Sequence, residues 1–491
     1  MNRLFRSLLA LTGLLGVAVV GTQFLRADNA PAPEQAPPPR PIKPLIPVVV
    51  TDNKVETKFA VKPKELSAVV KKGLEYLIKN QQEDGGWNQG GGWRVGNAGG
   101  GRVEGPKVED PSDIGNTSLA LLALLRAGNS PVEGQYKDAA AKGLAFVLAR
   151  VEKAESDSLY ITDVRGTQLQ SKIGPYVDTF LTALVLAELK GKAGPKEKQL
   201  VAALEKTMTK IVKNQTSEGG FANNGGWAPI LSVAIANKSI ARAKQNGVAI
   251  DDRVLDRAFA QSQASANGTV AMAGKPLASG FASVPPGRPV PGGFGGIGGG
   301  GMMGMAGGGL GGSPGGSFGD AGVSLYRIGQ GAGNSQDVVN SLKLDGEKAR
   351  QVLKDAKATQ KEKDDAQKKL DDLTKAEAEN VKVQGQLTAN LKNEGFTAGF
   401  GSNGGEEFLS FLNISETLVV KGGKEWEEWD AKMVKGLEKA QDKDGSWAGQ
   451  HCITGKTFCT AGALLVLMVD RTPFAVEVLS NAETKPASEK K

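Results

Sequence analysis

Lys435-Gly436-Leu437-Glu438-Lys439-Ala440-Gln441-Asp442-Lys443-Asp444-Gly445-Ser446-Trp447 is the stretch on which the fold turns. Its first half is an amphipathic helix. Gly445 ends that helix, because glycine enters left-handed and tight conformations without a Cβ penalty. Asp444 is placed to accept N–H groups in the turn, and Trp447 supplies an apolar plug behind it. The same order of residue types recurs twice. Lys72 to Trp87 ends Gln81-Gln82-Glu83-Asp84-Gly85-Gly86-Trp87, and Met208 to Phe221 ends Gln215-Thr216-Ser217-Glu218-Gly219-Gly220-Phe221. Apolar residues at helical spacing, such as Val70, Leu74, Leu77 and Ile78, give each unit one buried stripe. Gln81, Gln215 and Gln441 are suited to bond the ends of neighbouring helices, and the three acids and three aromatics have structural roles in the turns.

Each turn is followed by a more apolar run: Asp113 to Leu125, Tyr176 to Ala187, and Thr457 to Met468. These runs are apolar nearly all round and too short to span a bilayer, so they predict buried inner helices. An inner apolar helix alternating with an outer amphipathic one predicts an all-α chain, arranged as an α/α toroid, a double ring of helical hairpins.

These segments resemble the QW repeats of the terpenoid cyclase and prenyltransferase superfamily, which includes squalene-hopene cyclases and protein prenyltransferase β subunits. Lys435–Trp447 followed by Thr460-Ala461 carries the likeness most fully. It covers roughly residues 65–270 and 395–475, enough for one toroid. The resemblance implies an apolar ligand. It does not bring the family's chemistry with it. The Asp-x-Asp-Asp acid motif of the cyclases is absent. Asp364-Asp365 and Asp371-Asp372 lie in a charged, solvated helix. The oxidosqualene cyclase pattern Asp-Cys-Thr-Ala is met by Phe458-Cys459-Thr460-Ala461, with Phe458 in place of the acid. The zinc ligands of the prenyltransferases would fall near Asp113 or Asp178 and near Cys459, but the second neighbours Gly115 and Phe180 are not cysteine. The thioester stretch of complement-type toroids is also missing.

The remainder of the chain divides by composition. Residues 1–27 combine Arg3 and Arg6 with 19 uncharged residues from Ser7 to Leu25, which predicts a cleaved export signal or an uncleaved membrane anchor. Residues 28–63 are a Pro-rich spacer. The toroid occupies 64–270 and resumes at 395–475. Between them, 271–343 is a Gly/Pro/Met-rich low-complexity insertion expected to be disordered, with 23 glycines between Gly280 and Gly333. Residues 344–394 form a charged helical insertion, expected as a solvent-exposed helix or helical hairpin with coiled-coil character but no sustained apolar seam. Glu347 to Lys382 holds 19 charged residues in 36. Within this scheme the outer helix opening at Gly247 finds its inner partner only at 401–412. Residues 476–491 are a disordered tail.

The net charge of +7 is a poor guide to partners, because residues 1–64 alone hold nine Lys/Arg against four Asp/Glu. Nucleic acid is not expected. Walker and Rossmann glycine signatures are absent. A single histidine, His451, excludes multi-histidine metal sites, and neither metal nor cofactor is expected. His451 with Cys452 and Cys459 is the alternative metal set, a structural loop the plainer one. Cys452 and Cys459 are spaced to close a disulfide loop in an oxidising compartment, while Cys459 fits a buried free thiol equally well. Asp113, Asp178, His451 and Cys459 are the candidate catalytic groups. Asp113, Asp178, Glu406 and Glu407 begin inner helices and are read first as caps. The expectation is an exported, periplasmic or envelope-associated toroid that binds a protein or an apolar small molecule without cyclising it. A cyclase-like or transferase enzyme on an isoprenoid is the alternative.

Overall fold

Fourteen helices carry the described chain: α1 (Ala68–Lys79), α2 (Ile114–Arg126), α3 (Lys137–Lys153), α4 (Gln168–Ile173), α5 (Val177–Leu189), α6 (Glu197–Asn214), α7 (Pro229–Gln245), α8 (Asp252–Ala266), α9 (Ser324–Lys354), α10 (Gln360–Leu391), α11 (Glu394–Thr397), α12 (Glu407–Lys421), α13 (Gly423–Ala440) and α14 (Lys456–Leu467). They belong to a computed structural model that describes residues 45–50, 57–93, 102–103, 110–267, 322–399 and 404–475. The expected export segment, the tail and the greater part of the Gly-rich block lie outside the described residues. The fold is all-α. Strand is confined to two-residue pairs: β1 (Val49–Val50) with β5 (Val248–Ala249), β2 (Thr57–Lys58) with β6 (Phe474–Ala475), and β3 (Gly92–Trp93) with β4 (Arg102–Val103).

Six helices pack in a closed circuit: α2 on α5, α5 on α7, α7 on α9, α9 on α12, α12 on α14, and α14 back on α2. Their burial explains their composition. All thirteen residues of α5 are buried, as are Ile114–Leu124 of α2, Glu407–Val419 of α12 and Thr457–Val466 of α14. The more polar helices pack outside this circuit: α3 on α2, α6 on α5, α8 and α10 on α9, α13 on α12, and α1 on α14.

The repeat turns join one outer helix to the next. Gln82 N–H donates to Gly86 O, and Asp442 N–H and Thr216 N–H make the equivalent bonds to Ser446 O and Gly220 O. The third glycine-turn position has φ of +85° at Gly85, +80° at Gly219 and +88° at Gly445. A side chain at Gly85 would meet the Lys142 carbonyl at 2.7 Å, and one at Gly445 the Lys72 carbonyl at 2.5 Å. Gln81 Nε2 donates to its own turn at Gly85 O (2.8 Å) and to Ala139 O of α3 (2.9 Å). Gln441 repeats this with Gly445 O and Val69 O, both at 2.9 Å, and so ties the last outer helix to the first. Trp87 and Trp447 donate from Nε1 to Leu77 O and Leu437 O. The second turn is looser: Gln215 reaches Val254 O at 3.3 Å, and Thr216, not Glu218, accepts from the turn N–H of Gly220.

The chain departs from its sequence reading at four places. The first is α9. Residues 324–343 are not low-complexity insertion but the first two-thirds of a 31-residue helix, buried from Ile328 to Ser341. Its glycines are contact surfaces. A Cβ at Gly331 would lie 2.8 Å from Ala266 of α8, and one at Gly333 would lie 2.9 Å from Asn413 of α12. Glycine in a helix costs about 1 kcal/mol, and close packing on two sides offsets it. The partner expected at 401–412 is therefore one circuit position further on. The second is α10, which does bury a seam: Ala366, Leu373, Ala376, Asn380, Val383 and Leu387. These positions follow 3-4 spacing, but Ala and Asn hold half of them, so hydrophobicity alone does not reveal it. The third is the spacer, whose later part is tied down. β1 and β2 pair with the body, and Ile46 N–H donates to Asp251 Oδ2 at 3.1 Å. The fourth is the cysteine pair: both thiols are free, and no Cys452–Cys459 disulfide forms.

Candidate functional site

The two ends of the circuit hold its buried polar groups. At the end where α2, α5, α7 and α12 finish, six charged side chains meet. Arg126 clasps Glu188 with two bonds, Nε to Oε2 at 3.0 Å and Nη2 to Oε1 at 2.6 Å. Lys238 bonds Asp337 at 2.6 Å and also Glu416. Arg242 lies 3.5 Å from Asp337 and 3.8 Å from both Glu188 and Glu416. Three cations face three carboxylates, each with 5 % or less of its side chain exposed. The segment after α14 covers them: Pro473 O accepts from Arg242, whose guanidinium also lies over the Phe474 ring. Burial alone would raise the Glu416 carboxyl, but Lys238, Arg242 and Arg126 hold it below its usual range. Sequence reading passed over this network. Its members are isolated charges on apolar helices, and that isolation is the signal.

The other end is built from the starts of α2, α5, α12 and α14 with the loops between them. Asp113 is a true cap, accepting from Asn116 N–H at 2.8 Å. Asp178, in the first turn of α5, accepts from Gln170 Nε2 of α4. The two acids are neighbours: a Cβ on Gly115 would lie 2.3 Å from Asp178 Oδ1 and 3.5 Å from Asp113 Oδ1. Burial pushes Asp113 up to about 6, against its bonds from Asn116. Burial, reinforced by the charge of Asp113, pushes Asp178 up to about 7.

A second cluster joins α12 to the loop before α14. Glu406 is fully buried and, contrary to its reading as a cap, makes no capping bond with its side chain. It accepts from Tyr326 Oη of α9 at 3.1 Å and from Ile453 N–H at 3.4 Å, and His451 Nδ1 lies 3.8 Å away. One ligand atom each from Glu406, His451 and Cys452 lies within 4.8 Å of the others. Cys452 holds φ of +55°, a left-handed conformation costly for a side-chain-bearing residue. Burial and the Glu406 carboxylate push its thiol well above the usual range, so it is no nucleophile on its own. Burial likewise lowers His451, with Glu406 opposing.

Of the candidates, Asp113 and Asp178 come together, and His451 comes together with Cys452 and Glu406. Cys459 joins neither. Its Sγ is fully buried at 3.6 Å from Ile453 O. The Asp, Cys and His set that a prenyltransferase-type zinc site requires is therefore not assembled at Asp113, Asp178 and Cys459. Gln168 of α4 roofs this end: its Nε2 donates to Trp93 O (2.7 Å) and Thr454 Oγ1 (3.1 Å), and its Oε1 accepts from the Thr454 and Gly455 N–H groups. Two open surface depressions lie on the outer helices. One of about 290 Å³ is lined by Ser156, Lys206 and Lys210, and another of about 330 Å³ by Asp84, Phe146 and Arg150. Among the described residues no helix is long and apolar enough to cross a membrane. No family model matches the chain, and no curated protein matches it.

Proposed function

We propose that the chain is an α/α toroid of the QW-repeat type, acting as an exported, envelope-associated binding module and not as a terpenoid cyclase. The observation that carries this reading is burial on every face of α5. A ring open to an isoprenoid substrate would leave the inward faces of its inner helices exposed. Here α2, α5, α12 and α14 are dry along nearly their whole length. The charged network with its Pro473–Phe474 cover at one end, and the Gln168 roof at the other, support the same view. The end carrying His451 and Cys452, both partly exposed, is then where a ligand is met.

The enzyme reading rests on Asp178. A buried carboxylic acid with a pKa of about 7 is the kind of group that protonates an apolar substrate. Its neighbours are Gln170, Gly115 and Asp113, and none of them opens a path for a substrate. Solvent extraction and mass spectrometry of the purified full chain separate the two readings. A filled ring yields no stoichiometric isoprenoid or other lipid. A polyprenyl compound at one per chain, lost in Asp178→Asn, would establish the enzyme reading instead.

A further inference from the structure

We infer that Glu406, His451 and Cys452 form a binding site for one divalent ion of zinc type, clamping the start of α12 to the loop before α14. The inference rests on the reading of this end of the ring as its ligand-facing end. It does not use Cys459, near which the family resemblance would put zinc; that sulfur is fully buried and lies 3.6 Å from the Ile453 carbonyl.

Three observations carry it. The first is the donor set. One carboxylate oxygen, one imidazole nitrogen and one thiol sulfur converge within 4.8 Å. Ligand atoms around a tetrahedral zinc ion lie about 3.3–3.7 Å apart, so small side-chain rotations close the set. The thiol and imidazole select against magnesium and calcium, which take oxygen ligands. The second is the support behind the carboxylate. Tyr326 Oη and Ile453 N–H fix Glu406 from α9 and from the loop, as second-shell donors fix a metal-bound carboxylate. The third is charge. Among the described residues the group in ion-pair range of the buried Glu406 is the imidazole of His451, at 3.8 Å, where the other end has Lys and Arg. At the other end of the ring every buried carboxylate has Lys or Arg beside it. A divalent ion supplies the missing positive charge. The Cys452 thiol joins this set from a left-handed backbone, and the exposed quarter of His451 leaves a way in from solvent. On binding, the Cys452 S–H bond breaks, its proton goes to water, and the sulfur donates its electron pair to the ion.

Cobalt(II) is the probe, added to the purified full chain after chelator treatment. One equivalent should give a thiolate-to-cobalt charge-transfer band and intense visible bands of tetrahedral type, and one equivalent of zinc should remove them. Cys452→Ser should abolish the charge-transfer band. His451→Ala should weaken binding by about 100-fold or more, above the range for second-shell losses. Cys459→Ala should leave the spectrum unchanged. Cys452 and His451 are partly exposed, so both variants should keep the helical circular dichroism, and that signal is recorded alongside. Absence of the band in the wild type, or its survival in Cys452→Ser with loss in Cys459→Ala, overturns the site. A silent cobalt titration with a lipid-free protein rejects the ion site alone. A cobalt band in a protein that retains polyprenyl lipid rejects the filled-ring reading alone.

Discussion

The two ends of the helical circuit bury charge by opposite means. At one end Arg126, Lys238 and Arg242 match Glu188, Asp337 and Glu416 one for one, within salt-bridge distance and almost dry. At the other, Asp113, Asp178 and Glu406 are equally buried, yet the side chains that bond or approach them are amides, a phenol and an imidazole, with Arg165 acting on Asp178 through its charge alone. Matched ions stay charged and hold several helices together. Asp113 and Asp178, buried beside each other, are instead pushed toward the protonated form. The first arrangement is a seal and the second is a place where something can change.

The largest effect should come from unbalancing the seal. Glu416→Gln leaves three buried cations facing two carboxylates. Removing one partner of a buried ion pair typically costs about 3–5 kcal/mol. Glu406→Gln, at the opposite end, exchanges one hydrogen-bond acceptor for another and should cost no more than about 1 kcal/mol in metal-free protein. Urea unfolding of both variants measures the difference. Equal losses would mean that the two ends do not differ in kind.

The next test uses pH, where the ends should have opposite signs. The folded-state pKa of Asp178 is raised, so its contribution to stability is full below the unfolded value near 3.8 and is lost as pH rises through about 7. Glu416 is held low, so its contribution is present above the ordinary glutamate range and is lost on acidification. Between about pH 5 and about pH 8 the wild type should therefore lose stability through Asp178, and Asp178→Asn should flatten that slope. The variant should gain about 1–3 kcal/mol at the alkaline end and little at the acid end. A slope that persists in Asp178→Asn but vanishes in Asp113→Asn would reassign the proton to the cap.

Part of this contrast was legible in the sequence. The repeat turns were, because Gln, acid, Gly and aromatic at fixed spacing make bonds to residues only a few positions away, as Trp447 does with Leu437. The inner helices α2, α5 and α14 were, because their charged residues sit only in the first or last turn and the stretch between is apolar or small. The seal was not: Arg126 and Glu188 are 62 positions apart, and Lys238 and Glu416 are 178 apart. A lone charge on an apolar helix names no partner. Glu406 was misread because an acid at a helix start has a local role by default. The buried course of α9 was hidden for a different reason. Gly329, Gly331 and Gly333 look like helix breakers until Ser410, Ala266 and Asn413 are found pressed against them. Glycine reports a close neighbour only when the neighbour is known.

The smallest effect should come from the roof over the end that holds Asp178 and Glu406, where Gln168 crosses from α4 to the loop before α14. Its amide meets Trp93 O, the Thr454 hydroxyl and the Thr454 and Gly455 N–H groups, all of them uncharged. Gln168→Ala removes them where water can replace the lost partners, so the cost should be about 1–2 kcal/mol. The loss should not depend on salt or on pH, unlike the effects of Glu416 and Asp178. It should also be local. Hydrogen exchange at the amides of Thr454 and Gly455, which donate to Gln168, should quicken, while exchange in α7 near Lys238 and Arg242 stays as slow as in the wild type. If the amides of α7 quicken too, the roof and the seal open as one cooperative unit, and the circuit has one kind of end, not two.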